Sequence, residues 1–453
     1  MKALIAIWAV LAGTAASQAG IITVDDDGLA DFSTIQVAID YADDGDTVLV
    51  LDGRYTGNGN RDIDFHGKAI TLRSENGPKN CIIDCNGSEA EPHRGFLFYN
   101  GEDSNSILDG FTITNGYDPA SGGAILCSSV RGLVSPTIQN CIITNNRAGD
   151  DGGGILCHVA SPTIRNCIIT KNIAEAWEGG GIRFRSCPGA ILDNCLITEN
   201  SARLGGGIGS SGDNFTNFVD IIVTNCTFSG NSAECGGAVY VRDGSQPSVV
   251  NCILWGDTAL YGPEIAIYSS WPSSFLHVSF SDVRGGESDV YGHTLYWEIG
   301  NIDADPCFAD PCNGDYHLKS QAGRWDPNEG RWTIDDVTSP CIDAGDPMTP
   351  IGFEPFPNGG IVNMGAFGGI AEASKSYFGE PICETIIAGD INGNCTVNFE
   401  DFALMALGCT AEAAKSYFGE PPCKIILAGD INRDCVVNLE DFALMALHWL
   451  EEH

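Results

Sequence analysis

The chain has 453 residues, of which 60 are acidic and 23 basic, and carries a formal net charge of -37 at pH 7. That balance repels phosphate backbones and argues against a nucleic-acid partner. With 56 glycines and only 18% charged residues it is neither a disordered acidic chain nor a coiled coil; turn-rich β structure fits better.

The N-terminus runs Lys2, an apolar stretch from Ala3 to Ala12, then small residues ending Ser17-Gln18-Ala19. This order describes an export signal over residues 1–19, with cleavage after Ala19, and predicts a secreted or cell-surface mature protein. No other apolar stretch approaches the ~20 residues that span a bilayer. Next come Ile21 to Val24, a segment from Asp31 to Ala42, and Thr47 to Leu51. Ile35, Ala38, Ile39 and Ala42 fall at helical spacing behind a candidate N-cap at Ser33, so a short amphipathic helix is expected between two strands. It is well placed to seal the open end of a solenoid.

The middle of the chain is a double repeat. Asn140-Cys141, Asn166-Cys167, Asn194-Cys195, Asn225-Cys226 and Asn251-Cys252 lie 26, 28, 31 and 26 residues apart. Glycine blocks beginning at Gly122, Gly152, Gly179, Gly205 and Gly236 alternate with them. Such a period signals a solenoid. Three strands per coil would turn Ile155, Cys157, Ile164, Cys167 and Ile169 inward. The asparagines would mark left-handed corners and hydrogen-bond to one another along the axis, while the glycines would serve tight bends. Equivalent side chains on parallel coils point the same way, so the five ladder cysteines are expected as core thiols and not as disulfides. Cys383 with Cys395 and Cys423 with Cys435 are stronger candidates for bridges. Cys81 with Cys85, and Cys307 with Cys312 or Cys341, are weaker ones.

Residues 21–51, with Gly45-Asp46-Thr47-Val48, Gly53-Arg54-Tyr55 and Lys68 to Ser74, resemble the N-terminal cap of right-handed parallel β-helices of the pectin lyase superfamily. Taken with the ladder, the resemblance covers about residues 21–370 and implies an all-β solenoid over 20–370, capped by a helix at its N-terminus. The block Phe228 to Val239 resembles the repeats of polymorphic outer-membrane proteins, which implies a surface-exposed β-helix. Beyond residue 256 the repeat degrades into a stretch with Trp271, Trp297, Trp325 and Trp332, expected mostly in core or cap.

Residues 372–411 recur as 412–451, identical at 27 of 40 positions. In the first copy Asp390, Asn392, Asn394, the carbonyl of Thr396, Asn398 and Asp401 occupy positions 1, 3, 5, 7, 9 and 12 of a twelve-residue loop. In the second these are Asp430, Asn432, Asp434, the carbonyl of Val436, Asn438 and Asp441. Alternating oxygen donors that converge on one point suit calcium. A loop followed by an apolar helix, present twice, resembles a dockerin, although Cys395 and Cys435 stand where that family has glycine. The resemblance implies a small α-helical calcium module over 371–453 and a cohesin-like protein partner.

For chemistry, the turn before each glycine strand supplies Asp150, Asp151 and Glu178, and the strand after it Arg183 and Arg185, as candidate catalytic residues on one side of the solenoid. No segment matches the catalytic motif of pectate lyases, polygalacturonases or pectin methylesterases. The expectation is therefore a secreted, monomeric, polysaccharide-associated β-helix protein. It would bind glycan, with lyase or glycoside hydrolase activity open, and dock through its calcium module. The alternative is a non-catalytic adhesin or scaffold.

Overall fold

The computed structural model describes residues 19–129, 132–212, 221–268, 274–292 and 294–376. Its backbone is a parallel β-solenoid whose three long sheets contain eleven, nine and nine strands. One coil shows the plan. Ile155–His158 lies in one nine-stranded sheet, Thr163–Arg165 in the eleven-stranded sheet and Ile168–Thr170 in the other nine-stranded sheet. Each strand pairs in parallel with its counterpart one coil on, without a register slip: Ile155 with Ile182, Ile164 with Leu192, Ile169 with Ile197. Alternation within each strand then sends one set of side chains inward throughout. Ile155, Cys157, Ile164, Cys167 and Ile169 are buried as expected, in one continuous apolar core.

The helix Ile35–Tyr41 seals the N-terminal end with Ile35, Ala38 and Ile39. Its N-cap is Thr34, not Ser33, and makes no side-chain capping bond. The amide of Ile35 instead donates to Asn60 Oδ1 at 3.0 Å, so a later coil satisfies this helix end.

The first glycine of each block has positive φ, 65° at Gly152, 71° at Gly179 and 64° at Gly205. The second is needed for contact, because a Cβ on Gly180 would lie 2.5 Å from the Gly206 carbonyl oxygen. The corner asparagines are left-handed as expected, with φ 54° at Asn140 and 52° at Asn166.

They do not form the expected ladder. At these corners the amides bond to other groups: Asn140 to Asp109, Asn194 to the carbonyls of Ala366 and Gly368, and Asn251 to Thr349. The amide ladder is built by a second set, five residues after each cysteine, at the next corner inward. Asn146 Nδ2 donates to Asn172 Oδ1, Asn172 to Asn200 and Asn200 to Asn231, each at 3.0 Å. All four are fully buried. Each Nδ2 also donates to a carbonyl of the preceding coil, as from Asn172 to Ile143 O at 2.8 Å, and each Oδ1 also accepts a backbone amide. Complete satisfaction is what makes buried amides tolerable.

The ladder ends at Asp257, whose Oδ1 accepts two bonds of 2.7 Å from Asn231. Its Oδ2 and Glu264 Oε2 are buried without a donor. One proton shared between the two carboxyls satisfies both. Burial, then the Glu264 charge and hydrogen bond, holds Asp257 well above the usual carboxylate range.

Each ladder cysteine is buried, and its thiol donates to the carbonyl two residues earlier, at 3.1 Å for Cys141 to Gln139 and 3.2 Å for Cys167 to Arg165. Burial pushes the thiols of Cys141, Cys167 and Cys226 well up. The weaker bridges do not form: Cys81, Cys85, Cys307, Cys312 and Cys341 are free. Cys81 and Cys85 lie along one extended segment, four residues or roughly 13 Å apart, beyond disulfide reach. Cys383, Cys395, Cys423 and Cys435 lie outside the described residues.

Parallel coils persist past residue 256, as far as Leu295–Trp297. The following segment holds two antiparallel hairpins, Phe308–Asp310 with Asp315–Leu318 and Arg324–Asp326 with Arg331–Thr333. It then straps one sheet from outside. Gly365 N donates to Asn251 O at 2.8 Å and Ala366 N to Thr227 Oγ1 at 2.9 Å, while Leu318, Cys341 and Met364 pack on Ile253. Trp325 and Trp332 form an edge-to-face pair across the second hairpin, and Trp297 packs against the core. Trp271, and residues 377–453 of the module expected over 371–453, lie outside the described residues.

Two outcomes are expected. Asp257→Asn keeps the acceptor for Asn231 and presents a permanent donor to Glu264. Because the folded Asp257 holds its proton above the unfolded range, the wild type loses stability as pH rises from about 4, and the variant does not. Thermal melts should therefore show the variant gaining on the wild type between pH 5 and pH 8; a constant difference excludes the shared proton. Thiol titration with the labelled residues mapped should find the fourteen cysteines of the described residues reactive after denaturation, but among these mainly the exposed Cys312 in the native protein.

Candidate functional site

The outward side chains of the Ile155–His158 sheet form two columns parallel to the solenoid axis. Register aligns Leu156, Arg183, Gly209 and Tyr240 in one, and His158, Arg185, Ser211 and Arg242 in the other. The turns entering this sheet add a wall containing Asp151, Glu178 and Leu204. The two columns and the turn wall enclose a cavity of about 520 Å³, within the range of small-molecule sites, lined among others by Trp177, Arg183, Ser211, Tyr240 and Arg242. Gly209 is not among its lining residues: a Cβ there would come within 2.9 Å of Glu178 Cβ and of the Gly179 amide nitrogen, so the turn wall packs into the place a side chain would take.

Glu178 organises the electrostatics. It is fully buried, and its Oε2 lies 2.9 Å from Arg183 Nη1, an ion pair by distance whose angle makes no hydrogen bond. Its Oε1 accepts a hydrogen bond from Arg242 Nε. Arg183, 1% exposed, also donates to the Phe184 carbonyl at 2.9 Å and to Ser211 Oγ at 2.6 Å, while its Nε lies 3.9 Å from Asp151 Oδ1. Arg242 continues the chain of charges to Asp243. Burial lowers the Arg183 pKa, with Glu178 and Asp151 opposing it. At Arg242 burial acts in the same sense, but the charge and hydrogen bond of Glu178 outweigh it and the pKa is raised. Burial, and then the charge of Glu178, keeps the Tyr240 hydroxyl protonated.

Of the five residues singled out in the sequence, the fold gathers Asp151, Glu178, Arg183 and Arg185 around this cavity. Asp150 is exposed and not among its lining residues. Glu178 is a counter-ion held by two guanidiniums. Asp151 accepts the Glu178 backbone amide at 3.0 Å and braces the turn. Reading one coil alone overlooks Ser211, Tyr240, Arg242, Asp243 and Tyr268. The glycine blocks contain the missing signal: counting from the same glycine in each coil places Arg183, Gly209 and Tyr240 in one column. Trp177, 47% exposed, stands on the rim with the Arg203 guanidinium 5.2 Å from its ring centre.

All twelve calcium-loop positions, from Asp390 to Asp401 and from Asp430 to Asp441, lie outside the described residues. Among those described, no helix is long and apolar enough to cross a membrane.

Replacing the shared carboxylate by an amide, Glu178→Gln, leaves Arg183 charged, buried and without its nearest partner. Breaking a buried pair costs roughly 3–5 kcal/mol. Chemical denaturation should show a loss of that order, whereas Asp150→Asn should leave the midpoint unchanged.

Three comparisons bear on this architecture. A family model described as right handed beta helix region matches residues 31–177 and 162–270. A second, described as disaggregatase related, matches residues 284–345. No curated protein sequence matches the chain. Among solved structures, the pectate lyase Pel9A is similar at 16% identity, covering 78% of this chain and 96% of its own, with a TM-score of 0.47. The first model spans more than half of the chain, and in keeping with the coil-by-coil register the protein belongs to the right-handed β-helix family.

Proposed function

We propose that this is a secreted glycan-associated β-helix protein that binds saccharide in the cavity beside Trp177. The carrying observation is the combination of groups that line it. An exposed Trp177 ring supplies a stacking face, Tyr240 and Ser211 supply hydroxyls, and ion-paired arginines hold the walls rigid. Apolar faces with a few placed polar groups suit a sugar ring. The Lys2 to Ala19 segment supports export. The paired loops at Asp390 and Asp430 support calcium binding and docking to a cohesin-like partner or surface, with one copy of the chain sufficient for the groove.

Glycan cleavage is the second reading. Asp151 and Asp243 are part-exposed carboxylates on either side of the floor, at 19% and 18% side-chain exposure, and glycosidic cleavage works through two carboxyl groups across a sugar ring.

Screening the intact protein against a polysaccharide panel, with and without calcium, tests both readings. At least one glycan should be retained, and Trp177→Ala should weaken retention about tenfold, as for loss of a central aromatic contact. Release of products that stops in Asp151→Asn establishes cleavage. Failure to retain any glycan overturns the proposal.

A further inference from the structure

From the cavity toward the C-terminal coils, the two floor columns become aromatic. Tyr240 aligns with Ala266 and then Tyr291. The column of Arg242 continues to Tyr268, whose amide donates to Val241 O at 2.8 Å. Tyr261, on the turn wall, lies with its ring centre 4.9 Å from that of Tyr291. Tyr268 and Tyr291 are 58% and 51% exposed. In the opposite direction the next two coils carry Leu156, Leu126, His158 and Ser128, and only in the third does the half-buried Tyr99 follow Ser128. Exposed rings at successive coil heights form a path on the C-terminal side of the cavity.

Charge selects the kind of ligand that suits this path. The residues lining the cavity include three arginines, 183, 185 and 242, and three carboxylates, Asp151, Glu178 and Asp243, so their formal charges cancel. Arg183 and Arg242 are committed to those carboxylates. A uronate carboxylate entering here would have to compete for guanidiniums already paired, on a molecule of charge -37. An uncharged sugar meets no such penalty and gains from the rings.

We infer that the groove takes an uncharged glycan chain lying along the solenoid axis, from the cavity beside Trp177 over Tyr268 to the Tyr261–Tyr291 pair. This rests on the glycan-binding reading above. The coil repeat of about 4.8 Å is close to the length of one pyranose in an extended chain, so the path from the Ile182–Arg185 strand to Tyr291 holds about five sugars, one per coil.

Titration calorimetry of the full-length protein tests this with manno-, xylo- and cello-oligosaccharides of two to six units, beside oligogalacturonates of equal length at one ionic strength. For at least one neutral series, affinity should rise with length and level off near five units. Tyr268→Ala and Tyr291→Ala should weaken the longest oligomer about tenfold and the disaccharide less than twofold. Tyr268→Phe, which keeps the ring, should bind as the wild type does. Both positions are exposed, and unchanged melting temperatures show that the variants fold. Tighter binding of the galacturonates overturns the preference for uncharged chains. Affinity independent of length, or indifference to both tyrosine variants, overturns the axial path. In each of those cases binding that still depends on Trp177 leaves the cavity as a glycan site, whereas no binding by any series removes that reading and this one together.

Discussion

Backbone hydrogen bonding between successive coils, in an unslipped parallel register, is the constraint on which the rest of this structure depends. Each strand pairs with the strand one coil away, and so in the coils around the cavity each strand residue has a structural equivalent 26 to 31 positions further along. Inward positions must then stay apolar or carry a polar group that its equivalents above and below satisfy, as the stacked asparagines do. The outward positions are free of that requirement. Length differences between coils fall outside the paired strands, which keep their register from coil to coil.

The groove follows from that separation. Three coils contribute Arg183, Gly209 and Tyr240 to the same column, and the glycine in the middle lets the Glu178 turn pack close against the strand. Glu178, held there by its turn, joins guanidiniums from two strands. The walls are thus tied across coils by charge while the floor is tied by backbone. A site so braced loses little conformational freedom when a ligand arrives.

Much of the fold was legible in the chain because its signals are local and repeated. Glycine where φ must be positive, asparagine at left-handed corners and alternating isoleucines each act within one strand or turn. The ladder of amides was assigned to the wrong corner for a related reason. The Asn-Cys pair is conspicuous, but a left-handed corner there turns Asn140 and Asn194 toward other groups. The inward asparagines, Asn146, Asn172, Asn200 and Asn231, look in sequence like ordinary polar turn residues. The groove was half legible. Asp151, Glu178, Arg183 and Arg185 stand out as charges, yet a cavity assembled from several coils has no local motif, and Arg242 reaches Glu178 from 64 residues away. The strap over Thr227 and Ile253 was hidden as well, since nothing local marks which outward face a later segment will cover.

The amide ladder has a direction. Every side-chain amide bond within it runs from one coil to the coil after, so the series needs an amide at each interior rung and at the end a group that accepts without having to pass the bond on. Asp257 is that terminator. A duplication of any coil between Asn146 and Asn231 leaves every bond of the series intact, whereas a coil added after Asp257 has no amide to receive. The length of the ladder, as distinct from the number of coils, is therefore bounded by one side chain: parallel coils continue past Asp257 as far as Leu295–Trp297 without it.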